Sequence, residues 1–167
     1  NSVIFFSSTR PAATPGGSRQ IDTLTVENEE DIYFAIKMPS GKWSKPVYFQ
    51  YNTLKNEFPV CLSVDGKMLI FSKEEKDNYD LFYSVFADGK WNEPVSMGNS
   101  INSSADEREA SLTKDGNTLF FSSSRKGGYG KFDIYMSQKS ASGKWEKPVN
   151  LGKEINTLEN EVSPFIH

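Results

Sequence analysis

The sequence of 167 residues predicts an all-β fold, a β-propeller built of four-stranded antiparallel blades, of which about three are present. Two observations predict it. The motif Gly-Lys-Trp-x-x-Pro-Val occurs three times, at 41–47, 89–95 and 143–149. Short apolar runs between glycine-rich turns take the place of any 3.6-residue helical periodicity. A repeat of about fifty residues with four strands is typical of propeller blades, whereas helical solenoids require amphipathic helices.

The other landmarks of the repeat keep the same order along the chain. Each Pro-Val step is followed by an asparagine and, five residues later, by a glutamate. An Asp-Gly turn, an apolar run and an Asp-Ile-Tyr or Asp-Leu-Phe step come next. These landmarks divide the chain into repeats at 1–56, 57–106 and 107–160, with the first strand of a further repeat at 161–167. The paired residues are Asn52 with Glu57, Asn102 with Glu107, and Asn156 with Glu161.

Each repeat is interpreted as four short strands. The first runs from the glutamate to the Asp-Gly turn, where an Asp-Gly pair between apolar runs indicates a hairpin whose central positions need φ > 0. The second is the apolar run, as at 68–71 and 118–121, and its lack of alternation indicates a strand covered on both faces. The third begins at the Asp-Ile-Tyr step. The fourth follows the Gly-Lys-Trp turn, and its proline suits an edge.

One segment has a local propensity that opposes the repeat. Residues 105–112 (ADEREASL) contain good helix formers. The register of the repeat places Glu107 where Glu57 and Glu161 stand. The repeat therefore predicts a turn followed by a strand at this segment.

The number of blades does not close a ring. The chain begins just after an Asp-Gly turn, since Asn1 aligns with Gly116, and it ends in a first strand. Propellers close with four to eight blades, and open blade faces would leave apolar patches exposed. Two interpretations remain open: the chain is a piece of a longer ring, or two chains complete a ring together.

Composition and charge exclude several classes of protein. The net charge of −3, from 19 basic and 22 acidic residues, predicts no nucleic-acid partner. No apolar run is long enough to cross a bilayer, so the chain is not expected to span a membrane. Cys61 and His167 are the only residues of their kinds, which argues against a disulfide, a zinc site and a histidine-based triad. We therefore expect no metal and no cofactor.

The third repeat carries the motifs of a known family. It reads Asp115-Gly116, then Leu-Phe-Phe-Ser-Ser at 119–123, Gly-Gly-Tyr-Gly at 127–130, Asp-Ile-Tyr at 133–135, and Trp-x-x-Pro-Val-x-Leu-Gly at 145–152. This pattern resembles the WD-like, PD-type propeller repeats related to the TolB propeller, in the form common in envelope proteins of Bacteroidota. The resemblance implies a periplasmic or outer-membrane-associated location. It also implies the company of OmpA-like domains or of the type IX secretion apparatus.

The first two repeats depart from that pattern. The second lacks the Ser-Ser-x-Arg and Gly-Gly-x-Gly segments and has Lys-Glu-Glu-Lys at 73–76 instead. The first contains a long insertion from Thr9 to Glu30, rich in proline, glycine and serine and then acidic. A site that the family builds on these loops is therefore not expected in the first two blades.

Residues that recur in every repeat are interpreted as structural. A residue repeated in each blade serves blade architecture more readily than one active site. The aspartates of the Asp-Gly turns are expected to accept backbone N–H bonds. The structural set comprises Trp43, Trp91, Trp145, Asp31, Asp80, Asp133, Asp65 and Asp115.

Candidate binding residues lie in the loops that do not repeat. Arg10 and Arg125 occupy equivalent positions after serine-rich strand ends, and Arg19 lies in the insertion. An arginine there suits a carboxylate of an acidic partner or a glycan. Tyr129 lies in the Gly-Gly-x-Gly loop and completes the predicted ligand-binding set. The acidic residues at 74–80 lack the spacing of a calcium loop.

These observations predict a non-enzymatic propeller that binds an envelope protein or a glycan. The alternative is a carbohydrate-active enzyme or lectin-like module with carboxylates in a central funnel. A glycosidase needs two carboxylates about 5–10 Å apart, and no such pair stands out beyond the repeated positions. A third possibility is a structural piece of a multi-subunit machine.

Overall fold

The computed structural model describes residues 2–9 and 29–167, and all regular secondary structure in that part of the chain is β-strand. The all-β fold class predicted from the repeats is confirmed. No helix long and apolar enough to cross a bilayer occurs among the described residues. The strands are β1 Val3–Ser8, β2 Asp31–Ile36, β3 Val47–Tyr48, β4 Glu57–Leu62, β5 Met68–Glu74, β6 Tyr79–Ala87, β7 Lys90–Trp91, β8 Val95–Ser96, β9 Glu107–Leu112, β10 Thr118–Ser123, β11 Asp133–Gln138 and β12 Val149–Asn150.

The strands form three open antiparallel sheets in succession, consistent with a partial propeller. The first has the order β1-β2-β3, the second β4-β5-β6-β7 with β8 also paired to β6, and the third β9-β10-β11-β12. Each sheet follows chain order, as expected because strands that are consecutive along a chain usually pair. Segment 105–112 contains β9 and no helix, so the repeat register prevailed over helix propensity. Residues 161–167 form no regular strand.

The fourth strand of each repeat is interrupted. The tryptophan makes a first contact with the third strand, as a bridge from Trp43 to Lys37, from Trp145 to Lys139, and through β7 in the second repeat. The chain then leaves the ladder and returns at the valine after the proline. Proline has no N–H to donate, so the break falls where the ladder cannot continue.

The Asp-Gly turns differ from the expected hairpin geometry. At 63–66 and 113–116 only the glycines, Gly66 and Gly116, have positive φ, of 71° and 72°. The turn with two positive φ values is Asp88-Gly89, at 52° and 79°, between β6 and β7. A two-residue connection requires both values, whereas the longer Asp-Gly connections need only one.

The chain divides into two compact units, Asn1–Pro59 and Val60–His167. The core of the second unit joins residues from both of its sheets, and the adjacent loops add Met97 and Ile101. Burial of such side chains contributes about 1.5–3 kcal/mol each. The buried core residues of this unit are Ile70, Leu81, Met97, Ile101, Ala110, Leu119, Phe121 and Tyr135.

Candidate ligand-binding cavity

The repeated asparagines bind the backbone near the start of each third strand. The side chain of Asn102 accepts a hydrogen bond from the N–H of Leu81 at 3.0 Å and donates to its carbonyl at 2.9 Å. A primary amide can do both at once because it holds a donor and an acceptor. Asn52 makes the same pair of bonds with Ile32, and Asn156 with Ile134.

The repeated glutamates close the loop that follows each asparagine. Glu107 is fully buried and accepts bonds from the backbone N–H of Ser103 at 2.7 Å and from its hydroxyl at 2.8 Å. Glu57 and Glu161 receive the same two bonds from the threonines four residues before them. Bonds to ionised acceptors are the stronger kind, so these carboxylates serve the loop.

The aspartate at the start of the third strand has two different environments. Asp133 is buried and accepts hydrogen bonds from the backbone N–H groups of Tyr129 at 2.5 Å and Gly130 at 2.9 Å, and from the side chain of Asn150 at 2.7 Å. Asp80 accepts one from the amide of Asn78 at 2.8 Å. Burial raises the pKa of Asp80, and the nearby charges of Glu107 and Glu75 raise this pKa further.

The aspartates of the Asp-Gly turns bind their own turns. Asp65 accepts bonds from the Ser63 hydroxyl at 2.6 Å and the Lys67 N–H at 3.0 Å, and Asp115 accepts the same pair from Thr113 and Asn117. The side-chain bond from Ser63 or Thr113 is the largest cause that lowers the pKa of each carboxyl. Both aspartates therefore contribute to the turns.

The three tryptophans differ in burial. Trp91 is buried and meets Phe86 edge to face, with ring centroids 5.3 Å apart. Trp145 is half-buried beneath the ammonium group of Lys139, at 4.9 Å. Trp43 is 47% exposed. The three tryptophans therefore share a backbone pairing with the third strand, but their side chains are buried to different degrees.

The predicted ligand-binding residues have separate places. Arg10 and Arg19 lie outside the described residues. Arg125 makes a 3.1 Å ion pair with buried Glu107, bonds to the carbonyl of Ile101, and lies 5.0 Å from the centre of the Tyr135 ring. Its charge is therefore balanced within the fold. Tyr129 is half-exposed in the Gly-Gly-x-Gly loop.

Glycines bring this loop close to its neighbours. A Cβ at Gly128 would lie 2.3 Å from a carboxylate oxygen of Asp133, and one at Gly130 would lie 2.3 Å from the carbonyl of Glu159. Neither approach leaves room for a side chain. Asp133 therefore holds the loop through hydrogen bonds to its backbone. The lack of a side chain at Gly130 lets the loop pack against the segment after β12.

A cavity of about 500 Å³ lies beside this loop, entirely within the second compact unit. Its volume is that of a small-ligand site. Lys126 and Lys147 line it and have no ion-pair or hydrogen-bond partner among the described residues, and no carboxylate is among the residues lining it. Its lining also includes Asn99, Ser100, Arg125 and Tyr135.

Tyr135, one of the residues that line the cavity, carries an unusual polar group. The side chain is 5% exposed, and its hydroxyl is the one buried side-chain polar atom without a hydrogen-bond partner in the part of the chain that the structure describes. Its ring stacks on Phe121 with centroids 6.0 Å apart. A buried hydroxyl without a partner lowers stability by about 1–3 kcal/mol. The fold therefore buries this atom without giving it a hydrogen bond.

The second repeat has a different side chain at that position. Phe82 pairs with Phe71 across the sheet and stacks on it at 6.0 Å, as Tyr135 does on Phe121. Lys73 lies 5.2 Å from the centre of the Phe82 ring. The architecture therefore does not need the hydroxyl, since the apolar ring alone fills the same place.

Sequence reasoning missed most of the cavity. It selected Arg125 but neither Lys126, Lys147 nor Tyr135. A signal was present for Lys147, because the same place after the tryptophan is Glu93 in the second repeat. Only the packed structure shows that the hydroxyl of Tyr135 has no hydrogen-bond partner.

Other chemistry-bearing groups lie apart from the cavity. Burial raises the pKa of Cys61 to about 11, with the backbone bond from Leu112 opposing the shift. Its thiol therefore stays protonated at neutral pH, whereas the thiolate is the nucleophile. Across residues 2–9 and 29–167, no three His, Cys, Asp or Glu side chains converge to form a metal site.

Comparisons with known proteins add a structural likeness. No family model and no curated protein matches the chain. Among solved structures, the chain is similar to the crystal structure of TolB from Acinetobacter baumannii, with 21% identity and a TM-score of 0.43. The match covers 71% of this chain and 26% of that protein's length.

Proposed function

We propose that the chain is a non-enzymatic propeller module that binds a protein or a glycan. The observation that carries the proposal is the cavity of the second unit, lined by Lys126, Lys147, Arg125 and neutral polar groups. Such a lining offers charge and hydrogen bonds to a ligand. These groups support the proposal that the site holds a ligand.

The arrangement of the carboxylates supports the same proposal. Glu107 and Asp133 are buried and hydrogen-bonded to the loops of their own blade. A glycosidase needs two carboxyl groups that face one substrate across about 5–10 Å. The recurrent carboxylates serve loops, caps and turns, so the alternative of a carboxylate-lined funnel has less support.

The proposed setting is the bacterial cell envelope. It rests on the motif resemblance of the third repeat, at 115–123, 127–135 and 145–152. We propose a periplasmic or outer-membrane-associated location and an assembly with other envelope proteins. An outer-membrane secretion or peptidoglycan-linked complex is the finer form of this proposal.

Ligand arrays and a hydrolysis assay test the proposal together. The labelled chain is applied to a peptide array and a glycan array, and the same preparation is incubated with a panel of chromogenic glycosides. We expect selective binding on one array and no hydrolysis. Glycoside turnover that disappears in a folded Glu107→Gln or Asp133→Asn variant would overturn the proposal and establish the enzyme.

A further inference from the structure

We propose that the cavity beside the Gly-Gly-x-Gly loop binds a carboxylate of an acidic peptide segment. The inference rests on the proposed binding function and names its ligand class and its residues. Lys126 and Lys147 supply the charge, and Tyr135, Asn99 and Ser100 supply neutral polar groups at the cavity.

Charge around the cavity favours an anion. Arg125 is neutralised by Glu107 at 3.1 Å, so its charge is used within the fold. Lys126 and Lys147 have no such partner among the described residues, and no acidic side chain is among the residues lining the cavity. A concave site of one sign raises the local concentration of ligands of the other sign. The net field of the whole chain, at −3, does not provide this attraction.

The hydroxyl of Tyr135 adds a second, independent observation. It is buried and has no partner, although its ring packs against both Phe121 and the guanidinium group of Arg125. Buried polar groups in native proteins are nearly always hydrogen-bonded, and an exception calls for a missing partner. A phenol donates well to a carboxylate, and such charge-assisted bonds are the stronger kind.

The lining favours a peptide over a sugar. Tyr135 is the one aromatic residue of the lining, and the guanidinium of Arg125 lies 5.0 Å from its ring centre. The buried ring therefore offers no open aromatic face for a sugar to stack on. Asn99 and Ser100 carry donors and acceptors that can hydrogen-bond to the N–H and C=O groups of a peptide backbone.

The direct test is titration of the chain with two pentapeptides. The first is N-acetylated and C-amidated, with two aspartates between three glycines, and the second carries asparagines instead. Binding is measured by isothermal titration and by amide chemical shifts at low salt. We expect the aspartate peptide to bind at least about tenfold more tightly, which corresponds to about 1.4 kcal/mol. We also expect the shifts to centre on 99–100, 125–128 and 147–150.

Lysine variants locate the site. In the Lys126→Gln/Lys147→Gln double variant, affinity for the aspartate peptide falls by about tenfold and its salt dependence weakens. The matched control is Lys42→Gln/Lys114→Gln, which removes two exposed lysines that are not among the residues lining the cavity, and we expect it to leave affinity unchanged. Equal losses in both double variants would mean general ionic attraction and would overturn the proposal.

A pair of aromatic variants separates a ligand role from a structural one. Tyr135→Phe reproduces the second repeat and removes the unpartnered hydroxyl, so we expect the Tm of the free chain to rise by a few degrees. The same variant should lose affinity for the aspartate peptide. Phe82→Tyr is the reverse change, and it should lower Tm without changing affinity. A fall in Tm for Tyr135→Phe would show that the fold needs the hydroxyl and would contradict the proposal.

Two further probes distinguish the source of the anion. A galacturonate trisaccharide that binds more tightly than the aspartate peptide, with the same lysine dependence, would replace the peptide by a glycan. Inorganic phosphate that competes equally well per charge would reduce the site to a simple anion trap. Either result overturns this inference, while selective binding on the arrays would leave the proposed function standing.

Discussion

The second blade (57–106) and the third blade (107–160) share one plan and differ in one loop. Both bind the start of the third strand through an asparagine, Asn102 or Asn156. Between the second and third strands, the second blade has a charged loop without glycine, and the third has Gly-Gly-Tyr-Gly at 127–130. The two blades therefore share the contacts that form their sheets and differ in the loop between the second and third strands.

The loop changes the role of a repeated aspartate. In the third blade, two backbone N–H groups of the glycine-rich loop donate hydrogen bonds to Asp133. These bonds stabilise its buried carboxylate. In the second blade Asp80 is partly buried with the Asn78 amide, and burial raises its pKa. The comparison shows that an identical residue at an equivalent position is stabilising or costly according to the donors that its neighbours supply.

The largest effect is expected from Glu107→Ala. The change removes a fully buried carboxylate and leaves the guanidinium group of Arg125 without its partner. Loss of one partner of a buried pair costs about 3–5 kcal/mol. Urea unfolding measures the free energy of unfolding. Glu161→Ala is the matched control, since Glu161 makes the same loop closure in a more exposed place, and it should cost about 1 kcal/mol.

The Glu107 prediction has an internal check. Adding Arg125→Met to Glu107→Ala removes the unpaired charge, so the double variant should be more stable than Glu107→Ala alone. A further loss of stability in the double variant would show that Arg125 contributes through packing on Phe121 and Tyr135 and that the ion pair is secondary.

The next effect concerns Asp133→Asn. An amide in this place accepts less strongly than a carboxylate, and its NH2 group would face the N–H of either Tyr129 or Gly130, which bond to different oxygens of Asp133. We expect a loss of about 1.5–3 kcal/mol in the free energy of unfolding. Hydrogen exchange should accelerate at residues 127–131. Unchanged exchange there would contradict the role assigned to Asp133.

Gly130→Ala tests the close approach in the same loop. Its Cβ would fall 2.3 Å from the carbonyl of Glu159 and 2.5 Å from that of Thr157, so backbone must move. We expect a loss of about 1–3 kcal/mol in thermal or urea unfolding. Tyr129→Ala, at the half-exposed position beside it, should change stability by less than about 0.5 kcal/mol. Equal effects would remove the steric argument.

The smallest effect, and the one with a pH dependence, is expected from Asp80→Asn. Because the folded pKa of Asp80 is raised above its ordinary 3.8, the folded state keeps its proton as the unfolded state loses one. The free energy of unfolding therefore falls as pH rises from 3.8 through the folded pKa. The variant should be more stable than the parent at pH 7, and the difference should vanish near pH 3.5. Urea unfolding at both pH values measures it, and a neutral-pH loss would contradict the prediction.

Local sequence signals identified the elements because they recur. The Gly-Lys-Trp turn and the apolar second strand each appear three times, and so does the step that reads Asp-Ile-Tyr twice and Asp-Leu-Phe once. An ambiguous signal in one copy is therefore resolved by the other two. That is why 105–112 was assigned to a strand despite its helix formers. The Asp-Gly turns were assigned to the right places with the wrong geometry, because the same dipeptide suits several turn types.

The candidate site was harder to predict because it depends on partners distant in sequence. Arg125 was selected as a ligand-binding residue, and the structure pairs it with Glu107 and the carbonyl of Ile101. Lys147 and Tyr135 were not selected, although both line the cavity together with Lys126. Whether a charge is neutralised or left open is a property of what surrounds it.

The sequence by itself determined the β-strand elements, their order and the repeated contacts, because strand alternation, turns and side-chain caps act over a few residues. Tertiary structure decided which charges are free, which hydroxyl lacks a partner and which aspartate is costly. These depend on desolvation and on groups brought together from separate strands, such as Tyr135 and Lys147. The positions that the repeats share thus specify a common fold, and packing around the positions that differ specifies a site.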